Sequence, residues 1–169
     1  MSQESARSFV EQVRDIAAAA APQTPEQALD AFRQRAHAIL SRELKFAEVE
    51  WTERRDLVFA VEERYFHMVF DANAPLFLAI YGGVIGRFTD EPSRIRALEV
   101  ASSATHDVKV AKLMVQKVDD DWRAAASVEV LLPSLDSVDK AFIRRLVRML
   151  ERAINEFRNR YAQPAAPTS

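Results

Sequence analysis

The sequence contains no cysteine. Disulfides, thiol catalysis and cysteine-ligated zinc or iron are therefore excluded, and a reducing compartment is the simplest setting. No run approaches the ~20 apolar residues of a membrane span. Residues 1–21 lack the basic start and unbroken apolar core of a signal peptide, because Glu11, Arg14 and Asp15 interrupt them. These absences place the chain in the cytoplasm. Neither sign of charge dominates, since the formal net charge is −2, so long-range attraction to nucleic acid or to an anionic membrane is not built into the whole molecule. Histidine is scarce as well. His37, His67 and His106 are the only ones, and none has a second ligand at a metal-binding spacing such as H-E-x-x-H. Glycine is reduced to Gly82, Gly83 and Gly86, all in one segment. That segment lacks the G-x-G-x-x-G spacing and no parallel strand follows it, so it reads as the point where the backbone leaves a sheet rather than as a dinucleotide loop.

What remains is an ordinary globular composition, 49% apolar and 28% charged over 169 residues, enough for one domain with a sizeable core. Residues 5–21 carry Phe9, Val13, Ile16 and Ala20 at helical spacing, an extra N-terminal helix within an extension covering residues 1–22. Thr24-Pro25-Glu26-Gln27 then reads as a capped helix start. The helix runs to about Leu44 with Leu29, Phe32, Ala36, Ile39 and Leu40 inward. A weak period-two stretch over residues 46–52 suggests a short strand. Clearer runs at 57–62, 65–70 and 75–81 form a three-stranded antiparallel meander. A helix starting near Glu91-Pro92 is expected to bury Ile95, Leu98, Ala101 and Thr105. Strands at 107–117 and 122–132 flank an acidic turn at Val118-Asp119-Asp120-Asp121. The last helix, about 137–161, carries Val138, Phe142, Leu146, Leu150, Ile154, Phe157 and Tyr161 at steps of three and four. The tail, residues 162–169 with Pro164 and Pro167, reads as disordered. The fold class expected is α+β, an antiparallel sheet of about five strands (α-βββ-α-ββ-α) with helices mainly on one face, forming a single domain over residues 23–161.

This element order resembles that of class I type III secretion chaperones and of the related YbjN-type bacterial proteins. Local sequence carries the resemblance in the second half: the small-residue helix from Arg96 to Ala104, Val108-Lys109-Val110, the acidic turn Asp119 to Asp121, and Leu132-Pro133 before an amphipathic helix. The resemblance implies a small homodimeric, chaperone-like protein that binds other proteins and has no enzymatic activity.

Chemistry-bearing candidates each have a plainer reading. Ser102 and Ser103 lie in a helix rather than on a G-x-S-x-G elbow, and read as close-packing residues. Asp119, Asp120 and Asp121 read as a solvated turn rather than a metal site, and no metal or cofactor is implied. Over residues 137–161 seven basic and three acidic side chains give a net charge of +4. Arg144, Arg145, Arg148 and Arg152 are thus candidate phosphate contacts, although the wet side of an amphipathic helix explains them too, and the lack of interleaved aromatics argues against nucleic acid. The meander is the informative region, because both faces of its strands are apolar. Helices normally cover one face of such a sheet. The other would be covered by residues 5–21, by a second subunit or by a partner, since large exposed apolar patches are rare on monomers. The expected function is a non-catalytic protein-binding module, chaperone-like or an adaptor, acting as a homodimer that captures a polypeptide on its sheet face or edge. Tyr65, His67, Val69, Phe77 and Tyr81 are its contact residues. The alternative is a small apolar ligand held in a pocket between the sheet and the C-terminal helix.

Overall fold

Thr24 starts the first helix in a reciprocal cap: its hydroxyl accepts the Gln27 N–H at 3.2 Å, and its own N–H donates to the Gln27 side chain at 3.0 Å. In the computed structural model, which describes residues 24–108 and 110–163, this helix, α1, spans Pro25–Ala38. One wider turn, Ile39–Glu43, extends it, and the Leu44 N–H reaches back to the Ile39 carbonyl at 2.8 Å. Leu29, Phe32, Ala36, Ile39 and Leu40 are all buried. The N-terminal helix expected over residues 5–21, and most of the tail beyond Ala162, lie outside the described residues.

Six antiparallel strands follow: β1 (Ala47–Trp51), β2 (Leu57–Val61), β3 (Arg64–Phe70), β4 (Phe77–Phe88), β5 (Ala111–Val118) and β6 (Asp121–Leu131). They form one sheet in the order β1-β2-β3-β4-β6-β5, so the weak stretch at 46–52 is its sixth strand. Tight turns join β2 to β3 and β5 to β6, with Glu62 at φ 55° and Asp119 at φ 56°. Helix α2 (Glu91–Val108) links β4 to β5, and α3 (Lys140–Ala162) closes the fold after a short turn at Leu135–Ser137. The Asp139 carboxylate caps α3 by accepting the Phe142 N–H at 2.7 Å.

The helices pack on one face of the sheet. Leu57, Phe59, Phe66, Met68, Phe70, Leu78, Ile80, Ala124, Ala126 and Val128 meet Leu146, Leu150, Ile154 and Phe157 of α3 in one core, and Phe32 of α1 packs edge-on against Phe70 at 5.4 Å. Each large side chain so buried stabilises the fold by about 1.5–3 kcal/mol before entropy is counted.

Three expectations need correcting. First, the chain does not leave the sheet at the glycines: β4 runs through them to Phe88, with a register shift against β6 between Gly82 and Gly86. None of the three glycines has positive φ. Gly82 matters for a different reason, since a Cβ there would sit 2.8 Å from Ile154 Cδ1 of α3 and the isoleucine would have to shift. Second, α2 buries its small residues Ala97, Ala101 and Ala104, leaving Ile95 (45% exposed) and Leu98 (39%) on its outer side. Ser102 and Ser103 face outward too, and the Ser103 hydroxyl accepts from Arg160 at 2.6 Å. Third, the strand expected from Asp107 begins at Ala111, because α2 continues to Val108 and a tight turn (Val110 N–H to Val108 carbonyl, 2.6 Å) intervenes.

Candidate functional site, the open sheet face

Strand alternation sends every second side chain away from the helices. Register fixes which ones share a row: Glu50 pairs with Val58, Val58 with His67, His67 with Tyr81, Tyr81 with Ser127, and Ser127 with Lys112. The row therefore crosses all six strands. On one side of it lie Val69 and Ala79, a cross-strand pair. On the other lie Ala60 opposite Tyr65, and Ala125 opposite Met114. Among the described residues no helix covers this face.

All five residues expected to contact a partner come together here. Tyr65 is 53% exposed, and His67, Val69, Phe77 and Tyr81 are half-buried. Leu131, at the end of β6, is 78% exposed. Ala60, Ala79 and Ser127 are buried although they lie on the same face, and so form its floor beneath larger neighbours.

The polar groups of the face are arranged by strand. On β1 the Tyr65 hydroxyl donates to Glu48. This hydrogen bond, with the negative charges of Glu48 and Glu50, raises the phenol pKa above its ordinary value. At the opposite edge Lys112 donates to Glu129, which also accepts the Ser127 hydroxyl at 3.2 Å. Near the β1–β2 turn, Asp56 is 6% exposed. One carboxylate oxygen accepts the Phe70 N–H at 3.0 Å, and the other lies 3.4 Å from His67 Nε2. A shallow cleft of about 480 Å³ opens there, lined by Thr52, Glu53, Arg54, Asp56, His67 and Val69. It would accept a protruding side chain beside a buried carboxylate.

The sheet edges are less open than the face. Thr105 of α2 reaches over β5, accepting the Leu113 N–H at 2.9 Å. That amide is thereby withdrawn from pairing with another strand. At the other edge β1 is short, carries an irregular register and has Glu48 at φ 51°, features that hinder strand addition.

Arg144, Arg145, Arg148 and Arg152 are exposed on the outer side of α3, away from the open face. Among the described residues none has a carboxylate partner within 4.0 Å. Arg160 is different, because it binds Asp107, Glu156 and Ser103 and so fastens α3 to α2. His37 stacks on Trp51 at 5.5 Å. Among the described residues no group of three potential metal ligands assembles, and no helix is long and apolar enough to cross a membrane.

Sequence reasoning singled out the aromatic side chains of this face but not Glu50, Val58, Ser127 and Lys112, which share its central row. Their alternation on each strand was legible, but only strand order and register place β5 and β1 at opposite ends of one row.

No protein-family model matches the chain, and no curated protein sequence matches it either. Solved structures do. A chain of the HopA1–SchA chaperone–effector complex superposes with a TM-score of 0.55 at 12% identity, covering 76% of this chain and 94% of that one. An uncharacterised protein from Methanothermobacter thermautotrophicus gives 0.55 at 11% identity, with 77% and 96% covered. YbjN from E. coli gives 0.51 at 14% identity, with 76% and 87% covered. The chain thus shares the α+β fold of these structures, with the element order that its sequence resembles.

Proposed function

We propose that this chain is a non-catalytic, chaperone-like module of the cytoplasm that exists as a homodimer and takes up a segment of another polypeptide on its open sheet face. The observation that carries the reading is the uncovered six-stranded face bearing Tyr65, His67, Val69, Phe77 and Tyr81. Two tyrosines and a phenylalanine over a floor of alanine and serine offer apolar anchors with polar rims, the composition of binding hot spots. That a chain of similar fold was solved in a chaperone–effector complex supports a polypeptide partner. The blocked amide at Leu113 favours the face over the edge.

A fluorescently labelled, permanently unfolded reporter polypeptide tests the reading by anisotropy. Tyr81→Asp and Val69→Asp should each weaken binding at least tenfold, and Arg148→Glu on the far side should leave it unchanged. Equal binding by all three variants would sink the proposal.

A further inference from the structure

One carboxylate of the open face is buried without a cation beside it. Asp56 precedes the Leu57–Met68 pair, and so stands next to Val69 and diagonal to His67 on the uncovered side. Three hydrogen bonds fix it: its N–H donates to the Thr52 hydroxyl at 3.1 Å, its carbonyl accepts the Thr52 N–H at 2.9 Å, and Oδ1 accepts the Phe70 N–H at 3.0 Å. Among the described residues Oδ2 accepts no hydrogen bond. His67 Nε2 lies 3.4 Å from it, itself buried and without a hydrogen-bond partner, and an imidazole is positive only when protonated. Among the described residues no lysine or arginine approaches Asp56 within 4.0 Å. Arg55, in the same turn, is directed to Asp30 at 3.1 Å instead.

We infer that the cleft beside Asp56 is the subsite for a basic side chain, lysine or arginine, of the polypeptide that the open face binds. The inference rests on the proposed function and names the chemistry of one residue in its partner. A buried carboxylate with one oxygen unmatched is costly to keep out of water, and a cation delivered to that oxygen offsets the cost.

The cleft of about 480 Å³ that Asp56 lines has room for a whole side chain. Val69 forms an aliphatic wall for its methylenes while the charged head meets the carboxylate. One free oxygen serves an ammonium as well as a guanidinium. Charge around the cleft acts in the same direction: Glu53 lines it, and Glu48 and Glu50 lie on the adjoining strand β1, with Arg54 as the cation at the rim. An acidic residue of a partner is repelled from the same place, which makes the cleft selective. Because the turn holds Asp56 before a partner arrives, little ordering opposes the contact.

Labelled peptides of one unstructured host sequence, with phenylalanine and tyrosine anchors and lysine, arginine, methionine or glutamate at the central position, give the test by anisotropy on the full chain. The measurement is made at about pH 8, above the ordinary histidine range. The lysine and arginine peptides should bind about tenfold more tightly than the methionine peptide, the discrimination of one charge-assisted hydrogen bond, and the glutamate peptide more weakly still. Asp56→Asn keeps an oxygen for the Phe70 N–H and removes the charge, so it should bind all the peptides within about twofold of one another, with circular dichroism confirming the fold. Arg54→Ala, at an exposed position, should tighten the lysine and arginine peptides about threefold and leave the methionine peptide unmoved, an arm that does not depend on the stability of Asp56→Asn. The preference should persist in high salt, because a buried pair is screened much less than an exposed one. The inference is overturned if the methionine peptide binds as tightly as the lysine peptide, if folded Asp56→Asn keeps the preference, or if Arg54→Ala weakens it. Loss of the preference in high salt also overturns it, by assigning the effect to Glu53 and the carboxylates of β1. An unfolded reporter that binds the parent and is lost on Tyr81→Asp, beside peptides that show no preference, would remove this subsite while leaving the proposed function standing. Failure of reporter and peptides alike would remove both.

Discussion

Replacing Gly82 by alanine tests the contact that separates a covered sheet face from an open one. The added methyl would lie 2.8 Å from Ile154 Cδ1 and 3.7 Å from Leu150 Cγ. The first distance is about 1 Å shorter than a relaxed carbon–carbon contact. Ile154 is 1% exposed, so its side chain must leave its rotamer or push α3 outward. Overpacking of this kind costs about 1–3 kcal/mol, against about 0.4–1 kcal/mol recovered from a stiffer unfolded chain. The net expectation lies between about 0 and about 2.6 kcal/mol of destabilisation, read as a lower urea midpoint at unchanged slope. Gly83→Ala is the control, because the nearest atom to its methyl is the Tyr65 carbonyl oxygen at 3.3 Å on the exposed side. It should stay within about 0.5 kcal/mol of the parent. Ile154→Val removes the clashing carbon. Alone it costs about 0.5–1.5 kcal/mol, but combined with Gly82→Ala the two costs should fall short of their sum by about 1 kcal/mol. Additive effects of Gly82→Ala and Ile154→Val would refute direct contact between α3 and β4.

Three further outcomes follow from the geometry. Asp56→Ala strands the buried Phe70 N–H that the carboxylate accepts at 3.0 Å, and should cost about 1–3 kcal/mol in urea unfolding. Thr105→Val frees the Leu113 amide, so light scattering should detect larger assemblies at high concentration, with a stability loss of about 1 kcal/mol. Arg160 holds the Asp107 carboxyl below its ordinary pKa, chiefly through a hydrogen bond and then through charge. A folded pKa below the unfolded one contributes stability above the unfolded value and loses it as pH falls through the folded value. Asp107→Asn should therefore flatten the decline in urea midpoint below about pH 4, and an unchanged acid limb would contradict the pairing.

Much of the fold was legible where one spacing ruled a whole segment. Leu146, Leu150, Ile154 and Phe157 recur at three and four and are all buried, and β6 alternates as its sequence does. Legibility failed where size and burial parted. In α2 the bulky Ile95 and Leu98 suggested the inner face, yet the residues fully buried are Ala97, Ala101 and Ala104, with Val100 and Val108 partly buried against the core. At Gly82 to Gly86 the shortage of side chains resembled a sheet exit, whereas the cause is the proximity of α3 to a strand that continues. That Tyr65, His67, Val69, Phe77 and Tyr81 share one face was readable because an apolar second face is unusual on a meander. Their polar counterparts were not, because Glu50 and Lys112 acquire meaning only when strand order sets them at opposite ends of a row.

The central claim is that the open face of the sheet is where this chain binds protein. Hydroxyl-radical footprinting without and then with the unfolded reporter polypeptide measures it directly. Protection of Tyr65, Phe77 and Tyr81 on adding the reporter, with Ile95 and Leu98 of α2 equally reactive throughout, is the result the account predicts. Unprotected tyrosines alongside protection confined to α2 or to the arginine side of α3 would contradict it.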